Sequence, residues 1–64
     1  MNLAHRVKQK RAELNLSQTQ LAQLVGMRQQ SLHAIESGVT KRPRLLVELA
    51  AVLKCEPRWL LYGE

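Results

Sequence analysis

Residues 18–37 read QTQLAQLVGMRQQSLHAIES, and the one glycine inside this stretch constrains the fold more than any other feature. On both sides of Gly26 the apolar residues return at intervals of three and four, the spacing of amphipathic helices. Two helices joined by so tight a turn must cross steeply and pack closely. Close packing calls for a small residue in the first helix, supplied by Ala22, and the turn calls for a residue free to take positive φ, supplied by Gly26. Leu21, Val25 and Met27 around the turn, with Leu32 and Ile35 beyond it, supply the apolar contact surface. Any one of these residues alone would mean little. Together, at this spacing, they specify a helix-turn-helix over about residues 17–38. A helical hairpin of some unrelated bundle would meet the same packing needs, but it leaves the chemistry of the second helix's exposed face without a reason.

The rest of the chain extends the helical pattern, and no strand alternation interrupts it. Leu3, Val7 and Leu14 line one face of a first helix over roughly residues 2–13, which Asn15 ends because it tolerates left-handed backbone angles. Ser17 opens the second helix, and Gln20 three residues later completes a capping-box pattern. Leu21, Leu24 and Val25 form its expected buried stripe, and Gly26 stops it. The third helix runs from about Arg28 to Ser37, with Gly38 as its stop. Residues 39–44, VTKRPR, form a loop, because Pro43 disfavours helix at Arg42. Pro43 is itself the candidate opening of a fourth helix that buries Leu45, Leu46, Leu49 and Leu53. A fifth begins near Glu56 and Pro57, with proline suited to a first turn, and carries Trp59 and Leu60. The expected fold is all-α, a compact bundle of five short helices forming one domain over residues 1–64.

Composition removes several function classes. An apolar share of 45% is too high for a disordered chain. The apolar runs fall far short of the roughly 18 residues of a membrane span, and no secretory leader is visible, so a cytoplasmic location is expected. Cys55 is the only cysteine, which excludes an internal disulfide. With only His5 and His33 as companions, neither CxxC nor HxxxH spacing occurs, so no metal and no cofactor are expected. No Ser-His-Asp arrangement, carboxylate pair or phosphate loop stands out, and neither an enzyme nor a small-molecule ligand is expected. One Trp, one Tyr and no Phe leave no stacking platform for single-stranded nucleic acid.

Charge points toward a polyanion. The net charge is +5, and it is unevenly placed. Arg6, Lys8, Lys10 and Arg11 stand against Glu13 alone, while Lys41, Arg42 and Arg44 form a second cluster without an acid. From Glu48 onward acids slightly outnumber bases. Two basic clusters on a balanced background read as a phosphate-binding face, although solvated cations on exposed helix surfaces are the plainer alternative. With Leu32 and Ile35 inward, the third helix turns Gln29, Gln30, His33, Ala34 and Ser37 outward. An ordinary solvated helix carries Glu and Lys there. A glutamine amide both donates and accepts, which matches adenine N6 and N7 in the major groove. Its place at the start of such a helix favours base contact.

The segments RVKQKRAELNLSQTQLAQLVG, RQQSLHAIESGVTKRPR and ELAAVLKCEPRWLLYG resemble the DNA-binding domains of the lambdoid-phage Cro and repressor family, most of all those of phage 434. The QQS start with TKRPR downstream is specific to that small group. Arg28, Cys55-Glu56-Pro57 and Tyr62-Gly63 are closer to Cro than to the repressor, while the end at Glu64 lacks the basic tail of Cro. The resemblance implies a sequence-specific transcriptional repressor on a pseudo-palindromic double-stranded operator. It also implies a homodimer on DNA that is weak or monomeric in solution. Gln29 and Gln30 would read outer base pairs, with His33 and Ala34 beside them. Gln18 at the start of the second helix, with Arg28, Ser31, Lys41 and Arg42, would contact phosphates. Arg44 would enter the minor groove, and Arg11 would pair with Glu36 near the DNA backbone. Pro57, Arg58, Trp59 and Leu60 would form the dimer contact.

Two departures from that family matter. Ala34 replaces a longer side chain that helps choose inner bases, and His33 also differs, so inner-base preference is not inherited with the outer. Arg58 replaces a smaller or acidic residue in the dimer region and would face its own copy. The rival reading is an antitoxin-type helix-turn-helix protein whose main partner is a toxin. It shares the motif but usually carries an added toxin-binding segment, and none is visible in the sequence.

Overall fold

Polar side chains set where the first two helices begin. The computed structural model describes residues 2–64, which form α1 (Leu3–Glu13), α2 (Gln18–Val25), α3 (Gln29–Glu36), α4 (Leu46–Val52) and α5 (Pro57–Tyr62), with no strand among the described residues. The Asn2 side chain accepts from the His5 amide at 2.9 Å and caps α1. Asn15 follows α1 in the left-handed region, at φ 58°. At α2 the capping box is complete. The Gln20 amide donates to Ser17 Oγ at 3.0 Å, and the Ser17 amide donates to Gln20 Oε1 at 2.9 Å. Gly26 then takes φ 86°, and the amides of Gly26 and Met27 both donate to the Ala22 carbonyl at 2.9 Å. A Cβ at Gly26 would meet nothing within 4 Å, so the glycine is required by its backbone angle and not by space.

The core is built from Leu3 and Val7 of α1, Leu21, Ala22 and Val25 of α2, and Leu32 and Ile35 of α3. Leu49 and Ala50 of α4, Leu53 at its C-terminal cap and Leu60 of α5 complete it, all buried. α3 packs between α1 and α2, α4 lies against α2 and α5, and α5 returns to α1. The all-α, five-helix expectation is met, and so is the helix-turn-helix formed by α2 and α3.

Four local expectations are corrected. Leu24 is 61% exposed and does not belong to the buried stripe of α2, because Ala22 turns inward and shifts the buried face away from it. Pro43 does not open α4. Leu45 adopts non-helical angles (φ −102°, ψ 40°), so helix cannot extend back through it, and α4 starts at Leu46. Leu45 and Leu46 are only half-buried. Arg6, grouped with the solvent-facing cations, is 6% exposed. Its Nε donates to the Leu60 carbonyl at 2.8 Å and its Nη2 to the Leu61 carbonyl at 2.9 Å. Carbonyls in a last helical turn lack intrahelical partners, and here an arginine from the other end of the chain satisfies them. Among the described residues, no helix is long and apolar enough to cross a membrane.

Candidate nucleic-acid interface

The tight turn and the short α3 decide which side chains point outward. With Leu32, Ile35 and Glu36 turned inward, Gln29, Gln30, Ser31, His33 and Ser37 are exposed and Ala34 is half-buried. Arg28 precedes them in extended conformation, exposed and without a side-chain cap bond. The loop after α3 folds back alongside it. Between them lies an open groove of about 780 Å³, lined by Arg28, Gln30, Ser31 and Ala34 on one wall and by Arg42 and Arg44 on the other. Lys41 and Arg42 also border a smaller hollow, about 380 Å³, beside Asn2 and Tyr62. Arg42 Nη1 reaches Tyr62 Oη at 3.4 Å, which ties the loop to the end of α5. Of the sequence-predicted residues, the groove thus brings together Arg28, Gln30, Ser31, Ala34, Arg42 and Arg44, while the exposed Gln29 and His33 lie outside its lining and Lys41 borders the smaller hollow instead.

The start of α2 differs from the expectation. The side-chain amide of Gln18 is not turned outward. Its Nε2 donates to Glu36 Oε1 at 3.0 Å, and the residue is half-buried. Glu36 is 3% exposed and also accepts from Arg11 Nε at 2.7 Å and Arg11 Nη2 at 3.0 Å. Arg11 Nη1 donates to the Leu16 carbonyl at 3.0 Å. The hydrogen bond to Glu36 holds the Arg11 guanidinium above its ordinary pKa, and partial burial opposes that rise. Arg11 therefore joins α1, the turn before α2 and the end of α3. Ser17, Thr19 and Gln20 are exposed at this end of α2, and Thr19 Oγ1 donates to Gln29 Oε1 at 3.0 Å.

The first basic cluster is not one surface. Arg6 is inside, and Arg11 is engaged with Glu36. Lys10 lies 5.1 Å from the centroid of the Trp59 ring and 3.4 Å from Glu13 Oε1. Lys8 is exposed. Of the residues assigned to the dimer contact, Arg58 is exposed and Pro57 and Trp59 are half-buried, but Leu60 is fully buried in the core and cannot reach a partner. Cys55 is half-buried, and desolvation pushes its thiol pKa up. Among the described residues, no three His, Cys, Asp or Glu side chains come together in a way that could hold a metal ion. Sequence reasoning missed Thr19, Tyr62 and the inward role of Arg6. The only signal for Thr19 was its place at the second position of α2, across the turn from the first residue of α3.

Three similarities place the chain among known proteins. The model of the helix-turn-helix family matches residues 7–60, which include α2, α3 and the basic loop. The HTH-type transcriptional regulator PrtR of Pseudomonas aeruginosa is 41% identical over 63 residues, covering 98% of this chain and 25% of that protein. The chain thus spans about a quarter of the length of this curated relative. The solution structure of the DNA-binding domain of the P22 C2 repressor matches with a TM-score of 0.88 at 26% identity, over 98% of this chain and 84% of that one. The likeness to phage repressor domains read from the sequence agrees with these similarities.

Proposed function

This chain belongs to the helix-turn-helix family, and on that premise we propose that residues 1–64 act as one DNA-binding unit of a phage-type transcriptional repressor. In this reading α3 enters the major groove of duplex DNA. Gln29 and Gln30 meet base edges from its N-terminal end, with His33 and Ala34 facing the next base pairs. Arg28, Ser31, Lys41 and Arg42 grip phosphates, which positions the helix without specifying sequence. Arg44 reaches the minor groove, where narrow A-tract geometry rewards a cation. Two copies bind a pseudo-palindromic operator, meeting through Pro57, Arg58 and Trp59 while Leu60 stays in each core.

The observation that carries the reading is the shared groove. The Gln30 amide and Ser31 on α3 line it together with Arg42 and Arg44 of the loop, so one approach to a duplex engages both. A merely solvated helix surface gives no reason for an uncharged, doubly functional amide to share a groove with two arginines.

Selection of bound sequences from a random duplex pool tests the proposal. The expected result is one enriched half-site, repeated with two-fold symmetry at about one helical turn. Affinity for it should fall steeply with salt, by about −0.9 in the log–log slope for each phosphate neutralised. No enriched sequence, or an affinity indifferent to salt, would overturn it.

A further inference from the structure

Arg6 is a buried cation that meets no acid. It is 6% exposed, and its Nε and Nη2 donate to the carbonyls of Leu60 and Leu61. Among the described residues no carboxylate comes within ion-pairing distance of it, and its Nη1 has no hydrogen-bond partner. Two carbonyl dipoles do not neutralise a unit charge, so a buried charge and both N–H bonds of Nη1 are left uncompensated. No fully buried side-chain nitrogen or oxygen lacks a partner among the described residues, which means that this Nη1 keeps some contact with the surface. Arg6 lines the hollow of about 380 Å³ beside Asn2 and Tyr62.

The other walls of that hollow supply donors and positive charge. Leu3 and Ala4 border it, and their backbone amides, the first of α1, have no partner among the described residues. Lys41 and Arg42 border it from the loop, both exposed. Tyr62 Oη accepts from Arg42 Nη1 and so keeps its own O–H to donate. No aspartate or glutamate lines the hollow. Free amides at a helix start, with cations beside them, favour a tetrahedral oxyanion. We infer that the hollow binds a small phosphate-type oxyanion, inorganic phosphate or a compact phosphomonoester, which supplies the counter-charge that Arg6 lacks. A duplex backbone offers the same chemistry, but Arg6 is withdrawn deeper than a phosphate fixed in a duplex can follow. If Lys41 and Arg42 grip DNA as proposed above, the bound anion and the duplex compete for them.

Inorganic phosphate titrated into the DNA-free chain at fixed ionic strength, with chloride as the reference, tests the site. NMR resonances of the Leu3, Ala4 and Lys41 amides and of Arg6 Nε should shift together and saturate, with a midpoint of about 1 mM. Ala4→Glu sets a carboxylate in the hollow, at a first-turn position where an acid suits the helix, and should abolish these shifts. Arg6→Met should weaken phosphate binding by about tenfold or more. Thermal melts establish that each variant is folded, and Ala4→Glu decides if Arg6→Met is too unstable to titrate. At ~10 mM phosphate the affinity of the unaltered chain for random duplex should fall by about tenfold relative to chloride. Shifts that never saturate, that spread evenly over all exposed cations, or that persist in Ala4→Glu overturn the inference. So does a hollow perturbed by duplex but not by phosphate, which would assign it to the DNA backbone. Equal duplex affinity in phosphate and chloride overturns the sharing of Lys41 and Arg42. The titration contains no DNA, so its outcome is independent of whether α3 reads bases.

Discussion

Arg11 and Glu36 form a two-pronged ion pair between α1 and α3, with Nε to Oε2 at 2.7 Å and Nη2 to Oε1 at 3.0 Å. The Glu36 side chain is only 2% exposed and that of Arg11 22%, so the pair is not of the solvent-screened kind that contributes little. The Gln18 amide is a third donor to the same carboxylate. One buried acid near the end of α3 thus collects α1 and the start of α2. The orientation of the outward face of α3 depends on it.

Removing one partner should therefore cost more than the pair contributes. Arg11→Met leaves a buried carboxylate with Gln18 as its only remaining side-chain donor, a loss of about 3 kcal/mol or more. A core of this size supplies about 3–5 kcal/mol in all, so the variant should keep at most about 2 kcal/mol and sit at the edge of unfolding at room temperature. Urea denaturation followed by circular dichroism measures this. A loss below about 1 kcal/mol would show that the pair is as weak as a surface one.

Arg6→Met should separate stability from DNA affinity. The guanidinium bonds two carbonyls at the end of α5 and is buried, so its loss should cost roughly 2 kcal/mol. The salt slope of DNA binding should stay that of the unaltered protein. A slope shallower by about one unit would instead count Arg6 among the phosphate contacts.

Cys55 links stability to alkaline pH. Burial raises the thiol's folded pKa, while Lys10 lowers it and Glu56 raises it by smaller amounts. The folded state therefore holds this proton more tightly than the unfolded one. The resulting stability is fully present below the thiol's ordinary value of about 8.5 and is lost as pH rises through the folded value. Melting temperatures taken from about pH 7 to about pH 10 should fall more steeply for the native chain than for Cys55→Ala. Parallel curves would mean that the thiol titrates as it does in the unfolded chain.

The parts of the fold visible in the sequence are those set within a few residues. Asn15 and Gly26 take the left-handed angles their chemistry permits, and Ser17 with Gln20 closes the capping box. Leu24 was misread because α2 has only eight residues, and either of two leucine stripes fits so short a helix. Ala22, needed inward for close crossing, decides between them. Arg6 was illegible for another reason. Its partners lie 54 and 55 residues away, and charge counting cannot tell a solvated arginine from one that caps a distant helix. The interface was legible in its residue types, since amides and cations fall on different local segments, but the Thr19–Gln29 contact exists only once α2 and α3 have crossed.

Arg58→Val should strengthen self-association. Arg58 is exposed at the start of α5, and a small patch there lies at or below the size of a stable interface. Two copies facing each other across a two-fold axis would repel over about 8–10 Å at ordinary salt. Sedimentation equilibrium should find the native chain mostly monomeric and the variant more associated, with unchanged outer-base preference on DNA. A tight native dimer at nanomolar concentration, or a weaker one after the substitution, contradicts this role.

The central claim is that α3 reads bases while the loop after it holds phosphates, and Gln29→Ala beside Lys41→Ala tests it most directly. Affinities of both variants are measured on the selected operator, on single-base-pair variants of it and on random duplex DNA. Gln29→Ala should lose roughly 1–3 kcal/mol on the operator, flatten preference at one base pair and leave random DNA nearly unchanged. Lys41→Ala should weaken all duplexes by a similar factor and reduce the salt slope by about one. Equal losses on operator and random DNA for both variants would contradict the division of labour between helix and loop.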